Sequence, residues 1–273
     1  MRLKVTTSPH IKNYYSTSYL MRQVIVGLFF PVIASLIFFK MKAFIVIIWC
    51  IIGCALAEYL WIRLNRLTNS LWDYSALVSA ILLALSLPPE TKWWMCVIGG
   101  FFAILVCKEF FGGLGYNIFN PALGARAFLM ANFPVALTTW RFPYINFKTL
   151  GNIPDTFTYA TPLALWKFDK IIFPLKYLFL GIRAGSLGET CVLAIIIGGF
   201  YIIFRKIADW RAPLGMFLSM TFLAPFYIWP NTGNFFNDLF ISICFNLFSG
   251  GALLGMFFMI TDPVTTPITK TGR

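Results

Sequence analysis

What most limits the fold of this chain is the recurrence of apolar runs long enough to reach across a bilayer. Residues 24–39, 43–62, 76–87, 93–106, 122–137, 191–204, 213–229 and 239–260 are dominated by Leu, Ile, Val, Phe, Ala and Met. A hydrocarbon core about 30 Å thick takes a helix of about 20 such residues. Only a helix satisfies each backbone N–H and C=O inside its own segment, so an apolar run of that length does not cross as anything else. The sequence therefore predicts an all-α, polytopic transmembrane protein with about eight spans, some extended by polar turns. With 59% apolar and 12% charged residues, against about 45–50% and 25% in soluble domains, the composition places most of the chain in lipid. The chain reads as one membrane domain, 1–273, opening on a polar segment, 1–20, that lacks the features of a cleavable signal.

The formal net charge of +12 would suggest nucleic acid in a soluble protein. In so apolar a chain the basic residues instead set orientation, because Lys and Arg are retained on the cytoplasmic side. Arg2, Lys4, Lys12 and Arg22 place the N-terminus in the cytoplasm, and Arg63, Arg66 and Lys108 fall on the same side two crossings apart. Arg205, Lys206 and Arg211 cluster again, whereas residues 230–238 contain no Lys or Arg. This alternation puts the stretch 138–170 outside the cytoplasm; Lys40 and Lys42 run against it. Residues 171–182, with Pro174 and Lys176, are short for a span and read as re-entrant or interfacial.

The residue inventory excludes several chemistries. His10 is the one histidine, so neither a catalytic triad nor a His-based metal cluster can be assembled, and there is no GxxxxGK[ST]. Of the six cysteines, Cys50 and Cys54 share a helix face without a second pair, so core thiols are expected. Asn120-Pro121-Ala122 matches the water-channel tripeptide, but only once, where such channels carry two copies. The pairs Gly99-Gly100 and Gly198-Gly199, and the GxxxG of Gly251 and Gly255, predict close helix packing. Ser186 and Glu189, opening an apolar run, have the form of a capping box; the alternative is an anion held by this helix start with Arg183. Glu58 and Glu109 lie within or at the end of apolar runs, where a carboxylate is costly and marks an ion path for Na+ or H+. Pairing of Glu58 with Arg63, and of Glu109 with Lys108, are the structural alternatives.

The segment Asp155-Thr156-Phe157-Thr158-Tyr159-Ala160-Thr161-Pro162-Leu163 is uncharged apart from Asp155 and lies in the extracytoplasmic stretch. Taken alone it is a polar turn. Its D-x-x-T-x-A-T pattern, however, resembles the flavinylation motif of the membrane subunits of the Rnf and sodium-pumping NADH:quinone reductase complexes. Three further stretches resemble the same family in order and spacing: Lys108-Glu109-Phe110-Phe111-Gly112-Gly113-Leu114-Gly115-Tyr116-Asn117 continuing to Asn120-Pro121-Ala122, then Gly185-Ser186-Leu187-Gly188-Glu189-Thr190, then Thr261-Asp262-Pro263-Val264-Thr265. Ser8-Pro9-His10-Ile11 and Asp73-Tyr74-Ser75-Ala76 are most similar to the Rnf version of this membrane subunit, the D type.

The resemblance implies that FMN is joined through its phosphate to Thr161, with Asp155, Thr158 and Ala160 recognised by a flavin transferase. Tyr159 departs from the family's usual glycine. It implies an electron-relaying, ion-translocating subunit of the bacterial inner membrane, coupled to ferredoxin:NAD oxidoreduction and not catalytic alone. Its partners would be the other subunits, a flavoprotein among them, and membrane lipid. A second, non-covalent flavin and an inverted-repeat architecture belong to the same expectation. A quinone-reductase B-type subunit and a cofactor-free secondary transporter are the alternatives. Family chains continue past the 261–265 segment, so a C-terminal truncation at Arg273 is expected.

Overall fold

The computed structural model of the chain describes residues 16–66, 71–143, 161–231 and 233–262. His10, Asp155, Thr158 and Ala160 lie outside the described residues, as do Pro263, Val264 and Thr265. Within the described residues all regular structure is helical.

The first helix, α1 (Thr17–Phe39), starts where the Ser16 hydroxyl accepts from Tyr19 N at 3.2 Å, satisfying one of the donors a helix start leaves orphaned. Lys40, with φ of 50°, turns the chain in a single residue into α2 (Met41–Asn65). Next come α3 (Ser75–Ser86) and α4 (Trp93–Phe101), which runs on through a π turn (Phe102–Val106) and a 3-10 turn (Glu109–Phe111). Gly112, Gly113 and Gly115, all at positive φ, then reverse the chain into α5 (Pro121–Asn132). The start of α5 combines the Asn120 side chain, accepting from Ala122 N at 3.1 Å, with a proline at the first helical position.

Shorter helices follow: α6 (Pro134–Thr138), α7 (Pro162–Asp169) and α8 (Leu175–Leu180). The second half holds α9 (Val192–Phe204), α10 (Arg211–Tyr227), α11 (Phe235–Phe248) and α12 (Ala252–Leu254), the last continuing as a second π turn (Gly255–Met259).

The chain is an all-helical, polytopic protein, but the eight apolar runs do not become eight straight spans. Among the described residues, α1, α2 and the continuous stretch Trp93–Phe111 are long and apolar enough to cross a membrane, and α11 with α12 forms a fourth candidate bent by 67°. The run 122–137 divides at Phe133 (φ −131°), because Pro134 has no N–H to continue the ladder. The apolar helices α3 and α9 have 12 and 13 residues, about 20 Å at most and short of the bilayer core. Residues 171–182 contain only the six-residue α8, so this segment does not span, as expected.

Bare backbone contacts hold the bundle together. At Gly198 on α9 an added Cβ would lie 2.2 Å from Gly27 O on α1, and at Gly100 on α4 it would lie 2.8 Å from Cys54 N on α2. The Gly250-Gly251 site behaves differently from the packing its sequence suggested. There α11 ends and α12 begins at an angle, with Gly250 at φ 70°, so the glycines serve a helix break. All six cysteines are free thiols, with Cys50, Cys54, Cys96 and Cys107 buried.

Candidate functional site

Three polar features stand out among the apolar helices. The first is a charged cluster. Glu58 stands on α2, and the π turn after α4 delivers Lys108 and Glu109 against it. Lys108 Nζ donates to Glu58 Oε1 at 2.5 Å and to Ser75 Oγ at 2.8 Å, and lies 3.3 Å from Glu109 Oε1. Relative exposures are 1% for Glu58, 3% for Lys108 and 8% for Glu109. Taking such groups out of water costs several kcal/mol per ion, so they persist only with close, hydrogen-bonded partners. Glu58 does not pair with Arg63, which instead donates to the Tyr59 hydroxyl at 2.8 Å. Glu109 pairs with its neighbour Lys108, as one alternative reading had it. Two carboxylates share one ammonium here, and beside them a cavity of about 70 Å³ is lined by Lys108, Ser75, Ser79, Asn117, Asn120 and Asp262 among others. Asn117 Oδ1 is buried with no hydrogen-bond partner.

The second feature is the connection between α8 and α9, buried from Gly181 through Thr190. Its backbone closes the end of α3: Gly188 N donates to Leu85 O at 2.7 Å and Leu187 N to Leu87 O at 3.0 Å. Arg183, 1% exposed, donates to the carbonyls of Phe248, Gly250 and Glu189. It thereby satisfies carbonyls that the end of α11 leaves without an intrahelical partner. The capping box expected of Ser186 and Glu189 does not form. Helix α9 starts at Val192, its N-cap is Cys191, and Ser186 Oγ is buried without a partner. The Glu189 carboxylate lies against two glycines instead, its oxygens 3.1 and 3.2 Å from where Cβ atoms of Gly251 and Gly185 would stand. Arg126 of α5 approaches it at 3.8 Å.

The third is Thr161, the N-cap of α7. Its hydroxyl accepts from Ala164 N at 3.2 Å, and Pro162 takes the first helical position. The side chain is half-buried. Two residues on, Leu163 Cδ1 lies 3.2 Å from a Cβ built on Gly250, so the start of α7 packs beside the α11–α12 break. A phosphoester on Oγ1 fits this place: the ester oxygen keeps a lone pair for Ala164 N, and the negative phosphate meets the positive end of the helix.

Of the residues singled out from the sequence, the structure brings Glu58 and Glu109 together and leaves Thr161 apart, near the helix break. Not foreseen were Lys108 as their shared counter-ion and Glu189 as a buried carboxylate. Lys108 was legible as a lysine at the end of an apolar run; Glu189 was masked by its resemblance to a cap.

The model of the NQR2, RnfD, RnfE family matches residues 4–273. The chain is 35% identical over 98% of its length to the D-type subunit of the proton-translocating ferredoxin:NAD(+) oxidoreductase complex of Clostridium ljungdahlii, covering 81% of that protein. It is 35% identical over its full length to the D-type subunit of the Na(+)-translocating ferredoxin:NAD(+) oxidoreductase complex of Acetobacterium woodii, again covering 81% of the relative. It is likewise 37% identical over its full length to the D-type subunit of the ion-translocating oxidoreductase complex of Alcanivorax borkumensis, of which it covers 83%.

Proposed function

Since the chain belongs to the NQR2, RnfD, RnfE family, we propose that it is the D-type membrane subunit of an ion-translocating ferredoxin:NAD oxidoreductase complex in the bacterial inner membrane. The observation that carries this reading is identity of 35–37% sustained over nearly the whole chain with subunits so named. In this reading Thr161 carries FMN as a phosphoester, a flavin transferase recognises Asp155, Thr158 and Ala160, and Glu58 and Glu109 serve the Na+ or H+ path. Bound FMN accepts electrons in pairs and passes them on singly, which joins carriers of different electron number. The contribution of the chain is position and electrostatics. Thr161 fixes the tether at the start of α7, and Ala164 N orients the oxygen. Lys108 holds the two carboxylates together in a place that excludes bulk water. Ferredoxin and NAD bind to other subunits, a flavoprotein among them.

Support for the tether comes from Thr161 being a half-buried hydroxyl at a helix start, accessible to a modifying enzyme and complementary to phosphate. Denaturing gel electrophoresis with in-gel fluorescence, on protein co-expressed with a flavin transferase, tests it. The expected result is a fluorescent band, lost on Thr161→Ala, with an intact mass raised by one FMN less water. An unmodified chain under those conditions would end the proposal. Flavin content per chain in the native complex tests for a second, non-covalent flavin.

A further inference from the structure

A groove of about 410 Å³ opens between α9, α10 and the segment beyond the helix break. Its walls include Ile196 and Ile203 of α9, Leu214 and Phe217 of α10, and Leu253 and Met256 past the break, and every residue that lines it is apolar or aromatic. Of the 17 residues of α10 only Pro213 and Ala224 are buried. The helix stands off its neighbours here, and an apolar gap forgoes dispersion contact unless something apolar occupies it.

At one end the groove meets charge. Arg205 and Lys206 follow α9 and Arg211 opens α10, all three exposed and within three residues of Ile203 or Trp210 in the groove wall. Asp209 stands among them, its carboxylate accepting from Arg211 N at 3.2 Å. Three cations with this one carboxylate leave two positive charges at the mouth. The Arg205 guanidinium lies 5.8 Å from the Tyr201 ring centroid, and the Tyr201 hydroxyl donates to Gln23 near the start of α1. Ile207 and Ala208 line the cavity beside Lys108 together with Leu20 and Met21. The basic turn therefore sits level with the start of α1, the end that the distribution of Lys and Arg puts in the cytoplasm. Trp210, 55% exposed, stands at the same level, and indole favours the boundary between headgroups and acyl chains.

We propose that this place binds an anionic diacyl phospholipid of the cytoplasmic leaflet, with its phosphate against Arg205, Lys206 and Arg211 and an acyl chain in the groove. Basic pockets between membrane helices on the cytoplasmic side hold such headgroups. Basic residues that only set orientation need no apolar groove beside them. From Ile196 to Ile203 the groove follows about 10 Å of helix rise, against about 15 Å for one leaflet of the core. The bound lipid joins α9 to α10, and both to the segment past the break.

The test exchanges the purified complex into mixed micelles containing dioleoylphosphatidylglycerol or dioleoylphosphatidylcholine and counts retained lipid by native mass spectrometry. The wild-type complex is expected to prefer the phosphatidylglycerol. Arg211→Gln should weaken retention by about fivefold, and Arg205→Gln, Lys206→Gln and Arg211→Gln together by about hundredfold, the worth of basic side chains beside an anionic headgroup. Leu214→Trp keeps every charge and fills the groove, and it should weaken retention too. Attraction by surface charge alone would leave Leu214→Trp like the wild type, which would overturn the site. Phosphatidylglycerol carrying a diazirine in its acyl chain should label residues within 196–217 and 247–257. Equal retention of the two lipids would refute the proposal. So would labelling confined to other parts of the chain or to other subunits, the latter showing that a partner helix fills the groove.

Discussion

Removing the ammonium of Lys108 tests whether the cluster is as dry as its geometry implies. In Lys108→Met, Glu58 and Glu109, 1% and 8% exposed, would face each other with no cation between them. At an effective dielectric of about 20, the attractions lost at 2.5 and 3.3 Å are about 7 and 5 kcal/mol gross. Desolvation offsets most of this in the native protein, and breaking one member out of a buried pair costs about 3–5 kcal/mol net. Glu58→Gln keeps an acceptor for Lys108 and leaves the ammonium paired with Glu109, so about 1–2 kcal/mol is expected. The double variant, Lys108→Met with Glu58→Gln, then retains only one uncompensated carboxylate. It is expected to be more stable than the sum of the single changes by about 2 kcal/mol. Unfolding by sodium dodecyl sulfate in mixed micelles, followed by helical circular dichroism, supplies all three values. Additivity within about 0.5 kcal/mol, or a cost below about 1 kcal/mol for Lys108→Met, would refute the reasoning, because water would then be reaching the carboxylates.

Three further outcomes are expected. Gly198→Ala pushes a methyl to within 2.2 Å of Gly27 O and should cost about 1–3 kcal/mol in the same titration by separating α1 from α9; an unchanged midpoint would show that the helices do not touch there. Thr161→Ser should keep both the helix cap and the flavin, whereas Thr161→Ala should lose the flavin and about 1 kcal/mol of capping, measured by fluorescence and unfolding together. Arg183→Lys should fail to replace arginine, because one ammonium cannot match a planar fork that reaches three carbonyls. An Arg183→Lys protein as stable as the parent would sink that account.

Much of the fold could be read in advance because burial in lipid leaves few solutions. The apolar runs at 24–39, 43–62 and 93–106 became α1, α2 and the α4 stretch, and Pro174 with Lys176 correctly argued against a span at 171–182. What the runs could not show was where a helix stops within apolar sequence. Pro134 ends α5 locally, but the break at Gly250-Gly251 depends on Arg183, 65 residues from Phe248 in the chain, donating to its carbonyls. The candidate site followed the same division. Glu58 and Glu109 stood out by cost alone, and Thr161 by resemblance. Glu189 matched a local capping pattern, and only the fold, which starts α9 later than that pattern would, turned its carboxylate inward.

Each of the two π turns, Phe102–Val106 and Gly255–Met259, precedes a polar pair, Lys108-Glu109 and Thr261-Asp262. A π turn is an α-helix with one residue too many, and it resets the angular phase of all that follows by about 100°, one step of a 3.6-residue turn. Deleting a single apolar residue from Phe102–Val106 would let the ladder relax to ordinary helix with Lys108 still facing Glu58, whereas tightening the turn to α-helix with all its residues kept would rotate Lys108 off Glu58. The charge cluster is thus set by the π geometry of the backbone: the surplus residue is absorbed inside the turn, and a chain that kept every residue but closed that turn into α-helix would lose the cluster.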